Sequence, residues 1–221
     1  MSTALIFDLD GTLVDSVYAH VLAWQQALAA EGVQAACAKV HRRIGMDGSL
    51  LMMESARDAG VKLTVKAMGR AEQRHARLLR KLNRHPMPTI GAASFLKALR
   101  RAHVPWGIAT SGKLAEAAAS LKAVGVLRGD TVVDGSASQR AKPEPDLFLE
   151  CAERLHSDPS LCFVVGDAIW DVLAARRAGM QAIGLTCGGY SEAELYQAGA
   201  FRVFSDPQSL RLSVGQLGID L

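Results

Sequence analysis

The sequence predicts an α/β protein: a doubly wound parallel sheet with an α-helical domain inserted after its first strand. Three observations carry that reading. Short apolar runs alternate with amphipathic stretches through the second half of the chain. The region from about 17 to 85 contains no convincing strand. An apolar run near the start ends on two acids, Asp8 and Asp10. With 221 residues, 49% of them hydrophobic, the chain is long enough for one large domain or a core with a smaller domain inserted in it.

The first strand is expected over residues 4–7, Ala-Leu-Ile-Phe. Strand alternation sends Asp8 and Asp10 to one face, and Gly11-Thr12 then turns the chain away. Both acids are left at the carboxyl end of the strand, where open parallel sheets place their ligands. Next, Val17, Val21, Trp24 and Leu28 recur at helical spacing and form one apolar stripe. Gly32 ends that helix, Gly45, Gly48 and Gly60 punctuate the stretch after it, and Pro86 and Pro88 mark the return to the sheet. The expected boundaries are therefore 1–15 and 88–221 for the α/β core, and 16–87 for the helical domain. Further strands are expected at 104–109, 131–133, 161–165, 181–185 and 201–204. Helices are expected between them, at Ala92–Ala102, Leu114–Val124, Asp146–Leu155, Asp171–Ala178 and Glu192–Ala198. Gly125 and Gly179 read as helix stops, and Pro145-Asp146 as a helix start.

Composition narrows the class. No apolar stretch is long enough to cross a bilayer, and the first residues lack the basic flank and cleavage pattern of a signal peptide, so no membrane role is expected. Cys37, Cys151, Cys162 and Cys187 are far apart with no C-x-x-C; Cys151 and Cys162 fall within apolar patterns and read as buried free thiols. A cytoplasmic protein is the expectation. The net charge of +3 is unevenly placed: residues 17–87 carry 12 Lys/Arg against 5 Asp/Glu, the remainder 13 against 17. A basic module set against an acidic one suits an anionic ligand, although the same charges also read as solvated helix faces. No aromatic-interleaved basic patch is present, and nucleic acid is not an expected partner.

Two acids at a strand end suit a divalent hard cation together with nucleophilic or acid–base work; a D-x-D alone is equally a plain metal-binding pair or a strand end before a turn. Three later segments narrow the choice. Thr110-Ser111-Gly112 follows the run at 104–109, Lys142-Pro143 opens a Pro-rich turn, and Gly166-Asp167-Ala-Ile-Trp-Asp171 follows the run at 161–165. In that order and spacing, the four segments resemble the motifs of the haloacid dehalogenase superfamily: D-x-D-G-T, a Ser/Thr after the second strand, a Lys, and G-D-x-x-x-D. The resemblance spans essentially the whole chain. It implies a Rossmann-like core, and the inserted helices resemble the cap of the branch that holds phosphoglycolate phosphatases and β-phosphoglucomutases.

The resemblance also implies roles. Asp8 is the nucleophile, forming an aspartyl-phosphate. Asp10 is the general acid and base, and its backbone carbonyl is a metal ligand. Asp8 and Asp167 bind Mg²⁺ directly, and Asp171 acts through metal-bound water. Lys142 brings positive charge to the phosphoryl oxygens and to Asp8. Thr110 donates its hydroxyl to phosphate, with the amides of Ser111 and Gly112 pointing at the same anion. Thr12 reads either as orienting Asp10 or as a turn residue.

Relatives are separated by single residues. Dehalogenases and phosphonatases lack an acid where Asp10 stands, so Asp10 favours phosphoester chemistry. His20, Ala23 and Trp24 match the H-x-x-A-W of the sugar-phosphate branch, where the His helps orient the acid–base Asp; His20 reads equally as a core or surface residue. The mutase loop G-x-S-R-x-x-S-L has Gly45 and Met46 here in place of its Ser and Arg, and Gly166 stands where mutases usually have Glu. Both departures favour a phosphatase, although Arg42 and Arg43 lie just upstream and offer a replacement charge; Arg43 is taken as a candidate phosphate contact. The expected function is Mg²⁺-dependent hydrolysis of a small phosphorylated metabolite, by a monomer or a homodimer. A β-phosphoglucomutase-like mutase and a catalytically silent phospho-ligand-binding domain are the alternatives.

Overall fold

The structure, a computed structural model, describes residues 3–137, 140 and 142–221. Its elements form two compact units, one of residues up to Asp15 together with 86–221, the other Ser16–His85. The first unit opens with β1 (Ala4–Phe7). The second holds α1 (Val17–Ala29), α2 (Cys37–His41), α3 (Gly48–Asp58) and α4 (Val65–Leu82). The chain then returns to the first unit through α5 (Ala92–Arg101), β2 (Trp106–Ala109), α6 (Leu114–Ala123), β3 (Thr131–Val133) and α7 (Asp146–Arg154). It finishes with β4 (Cys162–Gly166), α8 (Ile169–Arg177), β5 (Gln181–Leu185), α9 (Glu192–Ala198), β6 (Arg202–Phe204) and α10 (Pro207–Ser213).

The six strands make one sheet in the order β3-β2-β1-β4-β5-β6, every pairing parallel. This is the doubly wound α/β fold expected, and both faces are covered, as a parallel sheet requires. Alternation divides each strand between two cores. Leu5 and Phe7 of β1 pack with Ile108, Val165 and Ile183 against Phe95, Leu96 and Leu99 of α5. Ala4 and Ile6 pack on the other face with Val164 and Ala182, against Leu147, Phe148 and Cys151 of α7 and Val172 of α8. The strand order reverses at β1, and Phe7 is in register with Ile108 of β2 and Val165 of β4. The residues that follow these three strands are thus delivered to one end of the sheet.

Where boundaries differ from those expected, a local cause is visible. β2 begins at Trp106 because Pro105 has no amide to donate; its carbonyl accepts from Leu5 N–H at 3.1 Å. β4 begins at Cys162 because Pro159–Leu161 form a 3₁₀ turn, capped by Asp158 accepting from Ser160 N–H at 2.8 Å. α8 begins at Ile169, so Asp171 sits in its first turn, and its Oδ2 accepts from Ala168 N–H at 3.1 Å. α10 lies outside the expected elements, yet Asp206 accepts from Ser209 N–H at 2.8 Å and Pro207 occupies the first helical position.

In the helical unit the stripe Val17, Val21, Trp24 and Leu28 is buried, together with Val40, Leu51, Met52 and Ala71. The Trp24 ring stacks on His75 of α4 at 4.0 Å between centroids. At the start of α3, a β-carbon on Gly48 would press on that indole at 3.1 Å. Near the chain crossings, Val14 bridges Pro88 in antiparallel fashion and Asp15 N–H donates to Met87 O at 2.9 Å, both within the sheet unit. No described helix is long and apolar enough to cross a membrane.

Candidate active site

Asp8 stands one residue past β1, with its N–H donated to Val165 O at 2.8 Å, so the sheet's own hydrogen bonding extends into the acidic segment. The chain then turns at Gly11, whose φ of 95° favours glycine. Its amide donates to Val14 O at 2.7 Å. Asp167 follows β4, the neighbour of β1, and Asp171 lies one helical turn on, in α8. Oxygens of Asp8, Asp167 and Asp171 come within 4.8 Å of one another, and all three residues are buried.

Lys142 reaches this cluster from the turn before α7 and is fully buried. Its ammonium donates to Asp8 Oδ1, lies 2.8 Å from Asp171 Oδ1, and donates to the carbonyl of Ala109, the last residue of β2, at 3.3 Å. The Phe148 ring lies 5.0 Å from the nitrogen. One lysine therefore draws on residues at or after the ends of β1 and β2 and on the helix after β4. Asp171 Oδ1 faces Lys142 as an ion pair, without the angle of a hydrogen bond.

The electrostatics are lopsided. Burial pushes the Asp8 carboxyl up to about 7, against the pull of Lys142 and with added repulsion from Asp171 and Asp10. Burial, then repulsion from Asp171 and Asp8, lifts Asp167 well above the carboxylate range. Burial would lower Lys142, but the charges of Asp171 and Asp8 overcome it and hold the ammonium above its usual value. Ionising all three carboxyls against one ammonium would leave two negative charges in excess, and a divalent hard cation with oxygen ligands fits that donor set. Asp10 adds no carboxylate to the cluster; the ligand expected from it is its main-chain carbonyl.

Thr12 differs from the reading that paired it with Asp10: its buried hydroxyl donates to Asp167 Oδ1 at 2.8 Å. It therefore ties the loop after β1 to the loop after β4. Thr110, buried at the end of β2, accepts from Gly112 N–H at 3.2 Å, which leaves its own hydroxyl proton to give elsewhere. Gly112's amide is thus already bonded, while the buried Ser111 Oγ has no partner among the described residues. The amide that opens α6, Leu114 N–H, is taken at 2.6 Å by Asp134 from the end of β3. Although partly buried, Asp134 is held below the ordinary range by Ser136 and that amide.

His20 and Arg43 belong to the helical unit, and their described contacts lie within it. His20 Nδ1 and His75 Nε2 share a hydrogen bond at 3.2 Å. Arg43 pairs with Asp58 at 2.8 Å and reaches Ser55 Oγ at 3.5 Å. Asp134, His75 and Asp58 escape a reading of the sequence because each is joined to its partner only by the fold. For Asp134 the one signal is an acid at a strand end before a Ser.

A family model described as haloacid dehalogenase-like hydrolase matches residues 3–179. The chain is 31% identical over 180 residues to hexitol phosphatase A of Escherichia coli K12, covering 80% of each protein. It is 34% identical over 209 residues to the phosphoglycolate phosphatase of Shigella boydii, covering 85% of this chain and 82% of that one. The solved structure of a hydrolase from Pseudomonas syringae aligns with a TM-score of 0.94 at 40% identity, over 97% of this chain and 99% of the other.

Proposed function

Because the chain belongs to the haloacid dehalogenase-like hydrolase family, we propose that it is a Mg²⁺-dependent phosphatase that hydrolyses a small phosphate monoester through an aspartyl-phosphate on Asp8. The observation that carries this reading is the buried cluster of Asp8, Asp167 and Asp171 around Lys142, at the end of the sheet where the strand order reverses.

Asp8, Asp167 and the Asp10 carbonyl would hold Mg²⁺, with Asp171 acting through a bound water. When bound, the ion supplies the positive charge that the cluster lacks and that the phosphoryl oxygens require. Asp8 is the nucleophile: its free oxygen forms a bond to phosphorus as the bond to the ester oxygen breaks. Asp10 gives its proton to the departing alkoxide. In the second half Asp10 takes a proton from water, whose oxygen attacks the same phosphorus, and Asp8 leaves as a carboxylate with inorganic phosphate as product. Lys142 favours the ionised form of Asp8 against the effect of burial and orients it, because its ammonium is itself fixed by Asp171 and the Ala109 carbonyl. Thr110 has a hydroxyl proton to offer a phosphoryl oxygen, and Ser111 Oγ is a second group without a partner among the described residues.

Hexitol phosphates and phosphoglycolate, the substrates in the relatives' names, are the first compounds to try. A phosphatase is favoured over a mutase because Arg43, the cation nearest the position of the mutase arginine, is engaged by Asp58. The four cysteines are free thiols, which suits the cytoplasm proposed for the protein. The test is release of phosphate from p-nitrophenyl phosphate with Mg²⁺, followed by a panel of phosphorylated metabolites. Activity lost in EDTA and restored by Mg²⁺ supports the reading. Turnover unaffected by EDTA, or dependent on a bisphosphate primer, would overturn it.

A further inference from the structure

The turn after β5 touches the site from a side that no motif marks. Residues Thr186–Gly188 form a 3₁₀ turn there. Cys187 Sγ donates to the carbonyl of Gly11 at 3.1 Å, inside the acidic loop after β1. Gly188 is buried, and a β-carbon built on it would lie 2.6 Å from Asp167 Cβ and overlap both Cγ and Oδ2 of that carboxylate. Its φ is not in the left-handed region, so the backbone itself would accept a side chain. What requires glycine is the carboxylate. Asp167 is thus held between the Thr12 hydroxyl on Oδ1 and the bare Cα of Gly188 beside Oδ2.

We propose that Gly188 is a positioning residue for Asp167: by presenting no β-carbon it fixes where that carboxylate stands, and so sets the affinity of the site for its divalent cation. This rests on the reading of Asp167 as a metal ligand. Fully packed interiors do not absorb an extra methyl without movement, and here the atoms that must move are the ligand's own.

A double-mutant cycle on the full chain tests it. The metal-free melting temperature is measured in EDTA for wild type, Gly188→Ala, Asp167→Gly and the double variant. The Mg²⁺ concentration giving half-maximal thermal stabilisation is then measured for wild type, Gly188→Ala, Asp167→Asn and Gly215→Ala, the last a glycine with open space around it. Gly188→Ala should lower the metal-free melting temperature in wild type but not in the Asp167→Gly background. It should also raise the half-saturating Mg²⁺ about tenfold or more, whereas Gly215→Ala leaves it unchanged. If Gly188→Ala alone does not fold, folding of the double variant supports the inference, and failure of both overturns it. Equal losses in the two backgrounds overturn it, as does wild-type Mg²⁺ dependence in Gly188→Ala. If Asp167→Asn also keeps wild-type Mg²⁺ dependence, the metal reading fails instead, and the metal-free cycle reports on Gly188 by itself.

Discussion

The two units of this chain use the same side chains to opposite ends. In the sheet unit one lysine, sealed from water, faces three carboxylates. In the helical unit one carboxylate, Asp58, faces two cations, Lys39 at 3.0 Å and Arg43 at 2.8 Å, with about a third of its side chain open to solvent. The consequences have opposite signs. Burial drives Asp8 up to about 7, while the bonds from Arg43 and Lys39 bring Asp58 down to about 2. Asp58 is comfortable where it is. Asp8 and Asp167 are not, and buried carboxyls perturbed in this way mark a candidate functional site.

Making the same substitution in both places tests the contrast most severely. Asp8→Asn keeps the shape but removes the proposed nucleophile, and turnover of p-nitrophenyl phosphate should fall by more than about 10⁴-fold. Asp58→Asn should leave turnover unchanged. Activity in Asp8→Asn within tenfold of wild type would remove the nucleophile from its role. Asp10→Asn should cost about 10²–10⁴-fold, and more on a sugar phosphate than on p-nitrophenyl phosphate, whose leaving group needs little protonation. Equal losses on both substrates would make Asp10 a ligand rather than an acid.

Removing the buried cation should cost stability on a scale that no surface pair reaches. Lys142→Met leaves three carboxylates without an ammonium, and urea unfolding in EDTA at pH 8 should show a loss of about 3–5 kcal/mol. A loss no larger than that of Arg43→Met would mean that water reaches the cluster and the contrast is false.

Legibility divides along the same line. Asp8, Asp167, Asp171 and Lys142 could be named from sequence because together, in order and spacing, they resemble the motifs of the haloacid dehalogenase superfamily. The alternation of apolar runs revealed the sheet, because parallel strands buried on both faces leave nearly continuous apolar stretches such as Val164-Val165 and Ile183 to Leu185. What stayed hidden depends on which strands are neighbours. Gly188 meets Asp167 only because β5 lies beside β4, and the Thr12 hydroxyl finds Asp167 because β4 lies beside β1. His20 and His75, 55 residues apart, meet through helix packing that no local pattern announces. The helix Pro207–Ser213 was readable from Asp206-Pro207 and Ser209, a capping pattern on a segment too short to show periodicity.

The dependence on pH gives the comparison its sign. For Asp8, folded and unfolded chains are both protonated below the ordinary value of 3.8. Between 3.8 and about 7 the unfolded chain has lost its proton and the folded one keeps it. Metal-free stability should therefore fall with rising pH through that window, and Asp167, raised by burial in the same way, adds to the fall. Mg²⁺ added at pH 8 should reverse the loss. For Asp58 the folded value lies below 3.8, so its contribution is present above 3.8 and vanishes as pH falls toward 2. Because Asp58 is exposed, that contribution is small, and salt should erase it. Urea unfolding of wild type, Asp8→Asn and Asp58→Asn in EDTA, at pH 3, 5 and 8 and at low and high salt, separates the two. Asp8→Asn should reduce the decline between pH 5 and 8 at either salt concentration. Asp58→Asn should narrow the gap between pH 3 and 5 at low salt only. If both variants respond to salt alike, the cluster around Lys142 is as wet as the pair around Asp58, and burial is not what distinguishes the two regions.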